Sequence, residues 1–283
     1  MDAHDCRSKV ILTKKQEDFY KDVLAALRLN NFDFLLGGTL AYSHYTGVKR
    51  HTKDLDIFVR PHDFDKILLV LNEKGFEVEK TFPHWLGKIY RGKQFIDVIY
   101  RSANGDCEVD DGWFDNSVEG TCLGLKVMIT PPEEMIWSKA AIMEKERFDG
   151  ADVNHIIKAI GTNLNWDRLV ERFGPRWRVL FAHCVLFGFV YPSERDCIPD
   201  WVMEHFQKLL QQELQEEEKP NDNVCYGPIL SRAQYLTDVN RWGYRDARKE
   251  LKMLTQRDIN LWTSAIPDVE CYDQCESSPR SSV

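Results

Sequence analysis

Asp33-Phe34-Leu35-Leu36-Gly37-Gly38-Thr39, then after a gap the length of a short helix Asp54-Leu55-Asp56-Ile57, and later Phe95-Ile96-Asp97-Val98-Ile99, are the stretches whose reading decides the fold. In extended backbone residues two apart share a face. Asp54 and Asp56 therefore project together, while Leu55 and Ile57 point into a core. Residues 33–36 read as a buried strand, and Gly37-Gly38 as a turn without side chains that opens a helix at Thr39. Such a helix start offers free backbone N–H groups to an anion, most often phosphate. Mg²⁺ prefers one or two carboxylates together with phosphate oxygens and water, and a pair of such ions can stabilise both the attacking and the leaving oxygen of an in-line displacement. Asp97 supplies the third acid that a site of this kind needs.

Downstream, Lys139 is followed by Arg147-Phe148-Asp149-Gly150-Ala151-Asp152, and the acid pair is preceded by Arg50-His51-Thr52-Lys53. Together with Gly-Gly-Thr, acid-Leu-acid and a third acid on a later strand, these residues resemble the nucleotidyltransferase superfamily typified by DNA polymerase beta. The resemblance is to its minimal and abortive-infection-type members in particular, and it covers roughly Asp33 to Ile160, with Thr39 standing where the superfamily often has Ser.

The resemblance implies an enzyme that moves a nucleoside monophosphate from a nucleoside triphosphate to a hydroxyl acceptor and releases pyrophosphate. It implies Asp54, Asp56 and Asp97 as catalytic residues that hold Mg²⁺ (or Mn²⁺), and Gly37, Gly38, Thr39, Arg50, Thr52 and Lys139 as the nucleotide-binding set. Three clustered acids without a cation repel one another, so raised acid pKa values are expected there. The acceptor stays open: a small molecule, an RNA end or a protein. Two alternatives stand beside this reading, a toxin-like enzyme that modifies tRNA or protein and has an antitoxin partner, and a catalytically silent nucleotide-binding protein.

Blander readings of the same residues are also open. Asp54 and Asp56 fit the surface of an edge strand, and Lys139 fits a helix pair with Glu134 or Glu144. Arg147, Asp149 and Asp152 fit a structural salt-bridge network, while His84, Trp85 and Lys88 fit either packing or contact with base or acceptor.

At 283 residues the chain makes one large or two modest domains, and 43% hydrophobic with 29% charged residues is ordinary for a globular protein. A net charge of -8 argues against a broad grip on polynucleotide phosphates. The short basic runs at Lys49, Arg50, Lys53 and at Arg172, Arg176, Arg178 read as mixed surface or substrate contacts. Eight scattered cysteines without a Cys-x-x-Cys, and a start at Met1-Asp2-Ala3-His4-Asp5 unlike a secretory leader, suggest reduced thiols and a cytoplasmic location. The apolar run from Val179 to Tyr191 is too short to span a bilayer and reads as a buried helix, with His183 as a hydrogen-bonded core histidine. No membrane association is expected.

The fold class expected is α/β (α+β), a small mixed sheet followed by a helical region. Residues 10–130 form the catalytic domain, 131–265 the helical C-terminal region and 266–283 a disordered tail. Thr13 and Gln16 have capping-box spacing before a helix from Lys14 to Leu29, and Pro61 opens another that Gly75 closes. Strands are expected at residues 54–59, 76–78, 88–91 and 94–100, the last two around a Gly92-Lys93 turn. The acids of the 104–120 loop lack EF-hand spacing and read as solvated. Thr130-Pro131-Pro132-Glu133 opens one long helix through Ile160, and helices follow from Trp166. Residues 211–223 read as a polar linker, and the aromatic 226–254 segment folds back.

Overall fold

Thr13 accepts from the Gln16 backbone N–H while the Gln16 side chain accepts from Thr13, so the capping box closes the start of the Lys14–Leu29 helix. Phe19, Tyr20, Val23, Leu24 and Leu27 on this helix bury completely. They meet Leu55, Ile57, Ile96 and Val98, the inward-pointing residues of the two acid-bearing strands, in one continuous core. Alternation with period two thus puts apolar side chains on one face of the sheet and carboxylates on the other. The computed structural model describes residues 10–216 and 221–266.

The main sheet is mixed and seven-stranded, in the order Val118–Cys122, Leu125–Ile129, Leu35–Leu36, Asp54–Phe58, Gln94–Ile99, Leu86–Arg91 and Glu77–Phe82. Asp54–Phe58 and Gln94–Ile99 run parallel at its centre, and the flanking pairs on either side are antiparallel. Gly92, at φ 62°, makes the tight turn between Leu86–Arg91 and Gln94–Ile99. Pro61 opens the Pro61–Glu73 helix, with Gly75 in the left-handed region just beyond it. The fold is therefore the mixed α/β arrangement that the pattern called for, with an acid strand that is central rather than at an edge.

Several expectations change. The single helix from residue 132 to 160 is two, Pro132–Ala140 and Gly150–Ile160, separated by a turn in which Glu144 and Arg147 bond each other's backbone and the Asp149 N–H returns to the Ile142 carbonyl. A continuous helix would set residues 139 and 149 about 15 Å apart along its axis. The turn instead brings Lys139 Nζ within 3.0 Å of Asp149.

Apart from Asp106, the acids of the 104–120 loop remain solvated as expected, and three of them also make surface ion pairs: Asp110 with Arg172, Asp111 with Arg60 and Glu108 with Arg101. Arg176 and Arg178 likewise pair with Asp106 and Glu213. The Trp177–Val190 helix buries only one side, since Phe189 is 83% exposed, while His183 bonds the Ala140 carbonyl at 2.9 Å as a core histidine. Among the described residues no helix is long and apolar enough to cross a membrane.

Segment 226–254 does fold back: Val224–Cys225 pairs with Arg245–Asp246, and Asn104 donates to the Ile229 carbonyl. The described cysteines, residues 107, 122, 184, 197 and 225, are free thiols. Cys6, Cys271 and Cys275 lie outside the described residues, as do part of the 211–223 linker and all of the expected tail except Ile266.

Ile57 is fully buried between the sheet and the first helix, whereas Leu29 is 80% exposed. Ile57→Ala should lower the unfolding free energy by about 2–5 kcal/mol, and Leu29→Ala by less than about 0.5 kcal/mol. Urea titration of the two variants checks the difference.

Candidate active site

The glycine turn and the acid strand are locked to each other. The Gly37 N–H donates to the Asp56 carbonyl at 3.0 Å, and Gly38, at φ +50°, opens the Gly38–Thr46 helix. A Cβ on Gly38 would lie 1.7 Å from Asp56 Oδ2, so the carboxylate uses the space that the missing side chain leaves. The Thr52 hydroxyl is within 2.8 Å of the Asp54 carbonyl and 3.2 Å of Asp54 Oδ1, which fixes the first acid from the preceding turn. Parallel pairing sets Asp56 directly beside Asp97. On the other side of Asp97, the antiparallel neighbour is Lys88, whose ammonium donates to Asp97 Oδ1 at 2.6 Å and lies 4.2 Å above the Phe95 ring centre.

Burial pushes the Asp56 carboxyl up from 3.8 to about 7, helped by repulsion from Asp54 and Asp97 and opposed by Lys139 and Arg147. Asp97 is raised as well, by burial first, with Lys88 offsetting part of it. The expected rise in acid pKa is present at both positions.

Facing the acids is a chain of alternating charge. Arg50 contacts Asp152 at 2.7 Å, Lys139 contacts Asp152 and Asp149 at 2.8 and 3.0 Å, and Arg147 donates twice to Asp149 at 2.8 and 2.7 Å. Burial works against ionisation of Asp149 and Asp152, yet these cations hold both below the usual carboxylate range. Arg50 also donates to the Tyr42 hydroxyl, which meets His155 Nδ1 at 2.7 Å. Lys139 thus pairs with neither Glu134 nor Glu144. Glu134 is taken by Arg168 and Arg172, and Glu144 by Ser231 and the Arg232 backbone.

A cleft of about 340 Å³ runs between the two groups, and Gly38, Asp56, Asp97, Lys139, Arg147 and Asp149 are on its wall. Gly37, Thr39, Arg50, Thr52 and Asp54 do not line it but adjoin residues that do, Gly37 and Thr39 flanking Gly38, Asp54 two residues from Asp56 on one strand with Thr52 bonded to it, and Arg50 joined through Asp152 to Lys139. Trp85, one of the residues left open between packing and contact with base or acceptor, also lines the cleft, as do Trp262 and Arg232, for which the sequence carried no such expectation. The Trp85 and Trp262 rings stack 5.1 Å apart at 12°, and Trp262 is carried by the Gln256–Ser264 helix. The Thr255 to Asp258 capping box could have revealed that helix, although nothing local places it at the cleft. A second cavity, about 450 Å³, lies between Tyr100, Arg101 and residues 249–258 and touches none of the three acids.

Carboxylate oxygens are the donors that a hard divalent cation takes, and the charge crowding at Asp56 is what a cation would relieve. Among the described residues no three His, Cys, Asp or Glu side chains converge as a ready metal cage. The fit is therefore to an ion that takes one or two carboxylates, Asp54 and Asp56, and completes its shell with phosphate and water.

A carboxyl raised from 3.8 to about 7 binds its proton more tightly in the folded chain than in the unfolded one. Stability should fall as pH rises between about 4 and about 7, where only the unfolded state has lost the proton, and then level off. Asp56→Asn should remove this slope, so in EDTA its gain in Tm should reach several degrees at about pH 8 and vanish near pH 4. Thermal melts across that range check it.

Residues 13–179, more than half of the chain, match the family described as "Uncharacterised nucleotidyltransferase". No curated protein matches the chain significantly. Among solved structures, an antigenic nucleotidyltransferase-like protein from Paracoccidioides brasiliensis is similar at 18% identity and TM-score 0.46, covering 66% of this chain and 95% of that one. JHP933 from Helicobacter pylori is similar at 14% identity and TM-score 0.37, with 73% and 100% covered. The lincosamide antibiotic adenylyltransferase LnuA, with lincomycin bound, is similar at 17% identity and TM-score 0.36, with 51% and 96% covered. With a mixed sheet that carries its acid pair beside a glycine helix start, and with the family match running across that sheet and into the helices beyond it, this chain belongs to the nucleotidyltransferase family it matches.

Proposed function

We propose that this nucleotidyltransferase moves a nucleoside monophosphate from a nucleoside triphosphate to a hydroxyl acceptor, releases pyrophosphate, and depends on Mg²⁺ or Mn²⁺. The observation that carries the reading is the placement of Asp56 beside Asp97 in one parallel register, directly under the glycine that opens a helix. Asp54 and Asp56 would hold the divalent ion, which draws charge from the phosphate oxygens of the bound nucleotide.

The free N–H groups at the start of the Gly38–Thr46 helix, with the Thr39 hydroxyl beside them, receive the triphosphate. Thr52 acts on the nucleotide through Asp54, whose carboxylate it orients. The chain Arg50, Asp152, Lys139, Asp149, Arg147 contains three cations and two carboxylates, so it keeps one positive charge in excess for phosphate. Asp97 meets the acceptor hydroxyl and takes its proton. The acceptor oxygen bonds to the α-phosphorus as the bond from that phosphorus to the pyrophosphate oxygen breaks.

Asp56→Asn keeps the volume and deletes one charge, so transfer should fall below about one hundredth of wild type, more than 2.7 kcal/mol of barrier, with an unchanged circular dichroism spectrum. A screen of radiolabelled nucleoside triphosphates against small-molecule, RNA and protein acceptors provides the assay. Full activity in the variant overturns the assignment. Gly38→Ala puts a methyl group into Asp56 Oδ2 and demands φ +50° from a residue that resists it. Its Tm should drop, and the rise in Tm that nucleotide with Mg²⁺ gives the wild type, about 2.7 kcal/mol of stabilisation at a hundredfold excess over Kd, should be lost.

A further inference from the structure

We infer that Lys88 stands where a second divalent ion would otherwise sit, so that the site takes one ion per bound nucleotide and Asp97 stays with its lysine. The inference rests on the functional reading above and narrows it.

Lys88 and Asp97 face each other across an antiparallel ladder, and their side chains are 19% and 15% exposed with 2.6 Å between the charged atoms. Because the strand register sets this contact, the ammonium cannot be carried away by a loop movement. A divalent ion at Asp97 would have to share the carboxylate with a cation already in hydrogen-bond contact, or expel that cation toward Glu79, its partner on the other neighbouring strand, whose carboxylate already accepts from the Tyr90 hydroxyl. The Phe95 ring below Lys88 adds a second attraction that holds the ammonium over the acid face. Breaking such a shielded pair leaves an uncompensated charge, which is strongly unfavourable.

Lys88 then acts as a positioning residue: it fixes the Asp97 carboxylate toward the acceptor side without bonding to nucleotide.

Mn²⁺ binding, read by the electron paramagnetic resonance signal of the free ion at saturating non-hydrolysable nucleoside triphosphate analogue, tests this on the full chain. Counted above the ion that the analogue binds alone, wild type and Lys88→Arg should each bind one Mn²⁺. Lys88→Met should bind two, with the second at the vacated Asp97. Asp97→Asn, which keeps the size of the side chain and covers the case where Lys88→Met does not fold, should still bind one Mn²⁺ with its affinity within about threefold of wild type. Two ions in wild type, or loss of the ion in Asp97→Asn, overturn the inference and leave the functional reading standing. No nucleotide-dependent Mn²⁺ at all overturns both.

Discussion

Two carboxylates held side by side by the backbone are the constraint on which this molecule is arranged. Parallel register places Asp56 against Asp97, and neither strand can shift by one residue without turning Leu55, Ile57, Ile96 and Val98 out of the core. Hydrophobic burial on one face therefore enforces electrostatic repulsion on the other. Burial of the Asp56 carboxyl, with repulsion from Asp54 and Asp97 added, pushes it up to about 7. Gly38 belongs to the same constraint, since the carboxylate occupies the volume that any other residue would need for its Cβ.

The opposite wall of the cleft is shaped by the need to bring cations there without leaving them unpaired. Lys139 sits near the end of the Pro132–Ala140 helix, whose Glu133 and Glu134 are tied to Arg168, while Arg172 joins Glu134 to Asp110. Glu134 is fully buried, so these arginines are obligatory partners and fix where the helix lies. The turn at residues 141–149 follows from the same requirement: only a break in the helix lets Asp149 and Asp152 both reach Lys139. The ion pairs thus place the cationic wall by long-range packing, facing the carboxylates of the other wall, with which Lys139 and Arg147 interact favourably.

Much of the fold was legible in the sequence because its signals are local. The Thr13 and Gln16 cap, the Pro61 start, the Gly92 turn and the alternation in Asp54-Leu55-Asp56-Ile57 each act within a few residues, and each element formed where its signal lay. The helix expected across 132–160 was misread because its composition is helical throughout, while the interruption is dictated by contacts with partners such as Leu230, whose carbonyl accepts from the Met143 N–H.

For the site, the sequence by itself determined that Asp54 and Asp56 share one face of a strand, that Asp97 lies on a later one and that a glycine turn opens the helix between residues 38 and 46, while it took the parallel register to set Asp97 beside Asp56. Only the tertiary structure decided who meets whom: Lys88 with Asp97, Lys139 with Asp149 and Asp152, and Trp262 against Trp85 at the mouth of the cleft. Periodicity fixes the direction in which a side chain leaves the backbone. Charge pairing and ring stacking act through space, between segments that sequence separates by as much as the distance from Trp85 to Trp262, so they are set by strand register and helix packing.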